Sequence, residues 1–107
     1  MTGALRIAAL LPNPKGKDVN NEQVLLVNLS NVPVSLRGWA LRDRKQHAYA
    51  LSGSIPAYGR IIITLRGKDF PMNNDGDTII LKQGSKVKHK VSYTEAQAGD
   101  GAVIWFK

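Results

Sequence analysis

A stretch around Trp39 places the strongest constraint on how this chain can fold. Residues 34–43 read VSLRGWALRD, in which Trp39 and Leu41 fall on one side of an extended segment and their neighbours fall on the other. This alternation predicts one β-strand. Because tryptophan has the largest apolar area to bury, two sheets can close over Trp39, and we expect the ring to lie in a core. The alternative is an exposed ring that stacks on a ligand base.

Short apolar segments recur along the whole chain, separated by glycine, proline and asparagine. The predicted strands cover residues 5–11, 22–29, 34–43, 47–51, 60–65, 78–82 and 86–93. A final apolar run, 102–106, is either a last edge strand or a tail that docks Trp105. Turn residues recur about every 8 to 12 positions, and no segment has the 3.6-residue period of a helix. About seven short strands with this spacing predict an all-β sandwich.

Length and composition limit the classes of protein that this chain can belong to. Its 107 residues suit a single domain, residues 1–107, and the absence of cysteine excludes disulfides, thiolate metal sites and cysteine nucleophiles. No apolar run approaches the roughly 18 residues of a membrane span, and residues 1–4 are too few for a signal peptide. We therefore expect no membrane span. The net charge of +7 favours polyanions, anionic membrane surfaces or acidic proteins as partners.

Two histidines are the candidate general bases at neutral pH. His89 lies on the apolar side of its predicted strand, so we expect a hydrogen-bonded histidine in the core or at an edge. His47 follows two basic residues and has only Asp43 as a nearby carboxylate. Neither histidine belongs to a nucleophile elbow or a zinc-binding helix motif. We therefore predict that the chain is not an enzyme, and we assign no catalytic residue.

An oxygen-rich loop at residues 73–77 is the main candidate for a metal site. It does not match an EF-hand, because the first and last ligand positions would fall on Pro71 and Lys82. A turn is the better interpretation of this loop, and weak cation binding by the polar residues of 18–22 is a minor alternative. We predict no metal and no cofactor.

Three lysines at every second position form the most distinctive charged feature. On a regular strand Lys86, Lys88 and Lys90 would point the same way about 7 Å apart, close to phosphate spacing along a nucleic-acid strand, and Lys82 would join them across a hairpin. These four lysines are our hypothesis for a polyanion-binding site. The alternative is that the lysines protect an edge strand against aggregation.

Two further groups of residues are candidates for binding. The second basic group consists of Arg37, Arg42, Arg44 and Lys45. The candidates for edge contacts or weak self-association are Trp105 and Phe106.

The tripeptide Asn28-Leu29-Ser30 matches the acceptor pattern for N-glycosylation. It lies at the end of a predicted central strand. We therefore expect the Asn28 side chain to cap the following turn instead.

Six segments, in this order, resemble the lamin tail domain, an immunoglobulin-like β-sandwich found in nuclear lamins and in many bacterial proteins. They are residues 13–16 (NPKG), 21–28 (NEQVLLVN), 33–43 (PVSLRGWALRD), 55–59 (IPAYG), 74–81 (NDGDTIIL) and 91–93 (VSY). They extend over about 80 of the 107 residues. The combination of GWALRD with the later GDTI is the most specific part. The lysines of 86–90 and the Trp105-Phe106 ending depart from the family pattern.

The resemblance implies an immunoglobulin-like sandwich of about seven to nine strands and a non-catalytic role. Such modules look like platforms for proteins, DNA and chromatin in lamins, and in bacteria they are often attached to nucleases, phosphatases or other hydrolases. It implies a protein partner or an attached catalytic domain, with nucleic acid or another polyanion as the alternative ligand. It also implies that the chain is a fragment of a longer multidomain protein.

Overall fold

The computed structural model describes residues 5–11, 22–43, 47–65, 76–94, 97 and 103–106. All regular elements in these ranges are β-strands. They are β1 (Leu5–Leu11), β2 (Glu22–Asn28), β3 (Val34–Ser35), β4 (Trp39–Asp43), β5 (Ala48–Ala50), β6 (Ser54–Ile55), β7 (Arg60–Leu65), β8 (Gly76–Gln83), β9 (Lys86–Thr94) and β10 (Ile104–Trp105). Three of these ten have only two residues, so the prediction of about seven strands matches the longer ones.

The strands form two four-stranded sheets and one short pair, with every pairing antiparallel. The first sheet has the order β10-β1-β2-β7 and the second has the order β5-β4-β8-β9, while β3 pairs with β6. Both larger sheets turn one face towards a shared core. The predicted all-β, immunoglobulin-like sandwich is confirmed.

The core is built by alternating burial along the strands. In β2, buried and half-buried residues alternate from Glu22 to Asn28, as expected for a strand with one face against a core. The core cluster consists of Leu5, Ile7, Leu10, Val24, Leu26, Leu36, Trp39, Leu41, Leu51, Ile55, Leu65, Ile79, Leu81, Val91, Tyr93 and Ile104. Trp39 is only 8% exposed, so the prediction that it is a core residue is confirmed. The alternative, an exposed ring that stacks on a ligand base, is wrong.

The prediction of one continuous strand over residues 34–43 is wrong. The chain turns at Arg37 and Gly38, where the backbone N–H of Trp39 donates to the carbonyl of Leu36 at 3.0 Å. Gly38 has a φ of +83°, which glycine adopts without a steric penalty. This turn resets the alternation, so Leu36 and Trp39 are both buried although three positions separate them.

The outward side of β2 is only partly covered. β2 is central, between β1 and β7, as predicted. On its outward side Leu25 and Val27 are half-buried, and Leu29 beyond the strand is exposed. The outer side of this sheet is therefore an apolar surface without a full covering layer in the described part of the chain.

Asn28 ties together two loops at one end of the sandwich. Its side chain is buried, and Nδ2 donates to the carbonyls of Val32 (2.8 Å), Ile55 (3.1 Å) and Pro56 (3.1 Å). Its Oδ1 accepts from the backbone N–H and the hydroxyl of Ser30 at 2.9 and 2.7 Å. The prediction that Asn28 caps the following turn is confirmed, and the side chain that glycosylation would need is engaged and buried.

Candidate functional site

The outward side of the β5-β4-β8-β9 sheet is basic. Its inward side consists of core residues such as Leu41 and Ile79, so the alternate residues point to solvent. We call this outward side the basic face; its paired residues are Ala40, Arg42, Ala48, Ala50, Gly76, Thr78, Ile80, Lys82, Val87, Lys90, Ser92 and Thr94. These paired residues include three cations and no carboxylate.

Strand register places the three cations close together. Arg42 lies opposite Ile80, and Ile80 lies opposite Lys90, so Arg42 and Lys90 are two strands apart, or about 10 Å. Lys82 lies two residues along β8 from Ile80, on the same face. Its diagonal distance to each of the other two cations is on the order of 7–8 Å between backbone positions. The three charges therefore form a compact triangle across three strands.

Small side chains lie beside this triangle. Ala40, Ala48 and Ala50 occupy the adjacent positions on β4 and β5. Because alanine projects only a methyl group, these three positions add little bulk beside the cations. The hydroxyls of Thr78 and Ser92 lie 3.0 Å apart at the other margin of the face.

The predicted even spacing of the lysines is wrong because β9 contains a bulge. Leu81 pairs with His89 but Lys82 pairs with Val87, so Lys88 has no residue opposite it. Lys86 pairs with Gln83 and therefore falls on the opposite side of the sheet from Lys82 and Lys90.

Val87 lies opposite Lys82 and is 57% exposed, since the bulge turns it outward. Lys82 and Lys90 remain on the basic face, with Lys88 in the bulge at its edge and Lys86 at the sheet margin.

The structure places two of the four residues of the second basic group, and these two lie apart from each other. Arg42 joins Lys82 and Lys90 on the basic face, whereas Arg37 lies in the turn before β4. Arg44 and Lys45 lie outside the described residues. Sequence reasoning assigned Arg42 to its chain neighbours because the pairing of β4 with β8 cannot be seen in the local pattern.

His89 connects the two sheets at the edge of the sandwich. Its Nδ1 accepts a hydrogen bond from the backbone N–H of Ile7 in β1 at 3.0 Å. A histidine that accepts at Nδ1 is neutral and carries its proton on Nε2. The expectation of a hydrogen-bonded core or edge histidine is confirmed. Partial burial lowers the pKa of His89 below its ordinary value of 6.5, and the charge of Arg6 lowers this pKa further.

We expect acid to destabilise the fold through His89. Between its lowered pKa in the folded chain and its ordinary pKa in the unfolded chain, the unfolded state binds more protons. Stability therefore falls as pH decreases from about 6.5 through this window, and this group causes no further loss below the folded pKa.

His89→Asn provides the matched control, since its Oδ1 can accept from Ile7 but does not titrate. Urea unfolding at about pH 7 and about pH 5 should show a larger loss for the wild type than for His89→Asn. Parallel pH profiles of the two proteins would contradict the assignment.

His47 and Asp43 close the β4–β5 hairpin. The buried carboxylate of Asp43 accepts from the backbone N–H of His47 at 2.8 Å, and its other oxygen lies 2.7 Å from Nδ1 of the ring. The Asp43 side chain thus orients His47. Asp43 is also the one nearby carboxylate that the sequence analysis named for this histidine. Both contacts hold the two ends of the hairpin together, which explains why a carboxylate is buried at this position.

An apolar row crosses the outward side of the other sheet. Strand register aligns Trp105, Ala9, Leu25 and Ile62 across β10, β1, β2 and β7. These residues line a shallow groove in which Trp105 is 70% exposed. The terminal run forms an edge strand, one of the two alternatives; a tail with a docked Trp105 is wrong.

Phe106 is not an exposed contact residue. Its ring packs partly buried against the core, and its backbone N–H donates to the carbonyl of Ala8 at 2.9 Å. Of the two residues proposed for self-association, only Trp105 presents a large exposed surface.

Comparison with protein-family models identifies the sandwich. The model of the lamin tail domain matches residues 1–95. The chain belongs to the lamin tail domain family. A comparison with curated proteins found no match. Lamin tail domains are non-catalytic, immunoglobulin-like domains, and the family indicates an interaction module.

Metal clusters and membrane-spanning helices were also sought in the described ranges of this lamin tail domain. In those ranges no group of three histidine, cysteine or acidic side chains is arranged to hold a metal, and no helix is long and apolar enough to cross a membrane. The loop at 73–77 and the polar residues 18–21 lie mostly or wholly outside the described residues. Glu22 is buried in β2.

Proposed function

We propose that this lamin tail domain is a non-enzymatic interaction module that binds a polyanion, in the first place nucleic acid, through the basic face. Arg42, Lys82 and Lys90 would contact phosphates, and Lys86 and Lys88 would contribute at the sheet margin. In a longer protein the same face would hold an attached catalytic domain, such as a hydrolase, against an anionic substrate or surface.

The observation that supports this proposal is the convergence of three cations from three strands on a surface whose paired residues carry no carboxylate. Cations so arranged neutralise phosphates and release their counterions. The neighbouring alanines add little bulk beside the cations. No aromatic side chain is among the paired residues of the basic face, so base stacking does not contribute and binding should not depend on sequence.

Fluorescence anisotropy with duplex DNA tests the proposal. If three cations each neutralise one phosphate, the affinity should fall about 40-fold between about 50 and about 200 mM salt. Two duplexes of equal length and unrelated sequence should bind equally. Absence of binding at the lower salt concentration would end the proposal, and a strong preference for one duplex would contradict its sequence-independent form.

A protein partner is the second candidate, and the apolar row favours it. Trp105 is exposed beside the groove that Leu25 and Ile62 also line. Exposed tryptophan is typical of binding surfaces between proteins. This surface lies on the other sheet from the basic face, so the two candidates can be separated by point substitutions.

A further inference from the structure

The two larger sheets have four outer edges, and three of these carry features that prevent another strand from pairing. β10 and β5 contain only two and three residues. β9 carries Lys86, Lys88 and Lys90 together with the bulge. Very short strands, lysines and bulges are the means by which proteins block pairing between sheet edges.

The fourth edge, β7, has none of these features. It is a six-residue strand with the sequence RIIITL, without proline or lysine, and its pairing with β2 has no register shift. In the described ranges β2 is its one hydrogen-bonded neighbour. Ile62, at its middle, is 63% exposed. A strand of this length and apolar character, without those three features, is a template for another strand.

The direction of the backbone groups along β7 follows from one hydrogen bond. The N–H of Asn28 donates to the carbonyl of Gly59 at 2.9 Å, so the backbone of Gly59 points towards β2. In an antiparallel ladder this direction alternates along the strand. The N–H and C=O groups of Arg60, Ile62 and Thr64 therefore point away from β2, towards the outer edge.

We propose that β7 pairs with β7 of a second copy of this chain, antiparallel and about a twofold axis at Ile62. In this register Ile62 lies opposite Ile62 of the copy, and Arg60 lies opposite Thr64 of the copy. Every outward-pointing residue then meets another one, which gives roughly six backbone hydrogen bonds. The β10-β1-β2-β7 sheets of the two copies then form one continuous sheet of eight strands.

Side chains agree with this register. Residues directly opposite each other in a sheet share a face, so the pairing at Ile62 joins the two apolar rows into one, from Trp105 of one copy to Trp105 of the other. The two Arg60 side chains are separated by about four residues of strand, roughly 13 Å, and so avoid direct repulsion. A twofold interface requires this kind of self-complementarity.

The charge of the chain predicts how the pairing responds to salt. Each copy carries a net charge of +7, so two copies repel each other at low ionic strength. Salt screens this repulsion, and the dimer should strengthen between about 50 and about 300 mM salt. Polyanion binding has the opposite dependence, which keeps this inference distinct from the proposed function.

Sedimentation equilibrium of the chain alone tests the pairing. The wild type should show a reversible monomer–dimer equilibrium at concentrations up to about 1 mM, tighter at the higher salt. Ile62→Lys should weaken dimerisation at least about tenfold, because it places two charges together at the axis. Val87→Lys introduces the same charge at an exposed position of β9, the edge that carries the lysines and the bulge. It should change the dimer dissociation constant less than about threefold.

A proline variant tests the backbone part of the proposal. Thr64→Pro removes an N–H that points outward and leaves the hydrogen bonds to β2 in place, so it should abolish the dimer with the β-rich circular dichroism spectrum retained. A wild type that stays monomeric at both salt concentrations would overturn the pairing. A dimer that is insensitive to Ile62→Lys would also overturn it. A dimer that Trp105→Ser abolishes would place the interface at β10 and would overturn the pairing as well.

Discussion

Replacing Asn28 with leucine should destabilise the fold by about 3 kcal/mol or more, because several polar groups would lose their partner at once. The carbonyls of Val32, Ile55 and Pro56 accept from Nδ2, and Ser30 donates twice to Oδ1. Leucine has the same branched arrangement of heavy atoms, but its two methyl groups are bulkier than the amide oxygen and nitrogen, so overpacking at this buried position adds to the loss of hydrogen bonds. For a domain of about 100 residues this corresponds to a fall in Tm of more than about 10 °C.

Urea denaturation of matched variants separates this network from a general sensitivity of the loops. Asn28→Asp keeps an acceptor for Ser30 but turns an oxygen towards three carbonyls, so it should be nearly as destabilising. Ser30→Ala removes only the hydroxyl bonds and should cost about 1 kcal/mol. Asn31→Ala, at an exposed neighbour, should change stability by less than about 0.5 kcal/mol. An Asn28→Leu variant as stable as Asn31→Ala would show that the network contributes little.

The strands themselves could be predicted because one side of each faces the core. The bounds of β1 and β7 agree with the predicted ranges, and the predicted end of β2 differs by one residue. β1 and β7 are marked by short apolar runs, whereas alternation of side chains between the two sides marks a half-buried strand such as β4. For the same reason Trp39 could be assigned to the core from its own segment.

Features that depend on pairing between distant strands were not predictable. The bulge at Lys88 changes which residue lies opposite Lys82 but leaves the local composition unchanged. Likewise, the turn at Gly38 interrupts a pattern that continues to alternate on both sides. The apolar run of β7 predicts a strand, but only the sheet order reveals that this strand is an edge. Local sequence thus identifies strands, whereas sheet order decides which charges and edges face a partner.

Reversing two charges on the basic face should weaken binding to duplex DNA at least about tenfold at low salt. The variant is Lys82→Glu combined with Lys90→Glu, which places two carboxylates beside Arg42 and removes two of the three phosphate contacts. The neutral pair Lys82→Gln and Lys90→Gln should lower the slope of log K against log salt by about 2, because each lost contact releases one counterion fewer.

A control of equal charge decides whether the basic face or the overall charge is responsible. Arg37→Glu combined with Arg60→Glu changes the net charge by the same amount, and neither residue belongs to the basic face. Anisotropy should show a loss of less than about threefold for this control, because distant charges are screened at about 0.1 M salt. Trp105→Ser should leave DNA affinity unchanged. Equal losses for the two charge-reversal pairs would mean that attraction is distributed over the whole molecule, since no single sheet face would then carry the binding.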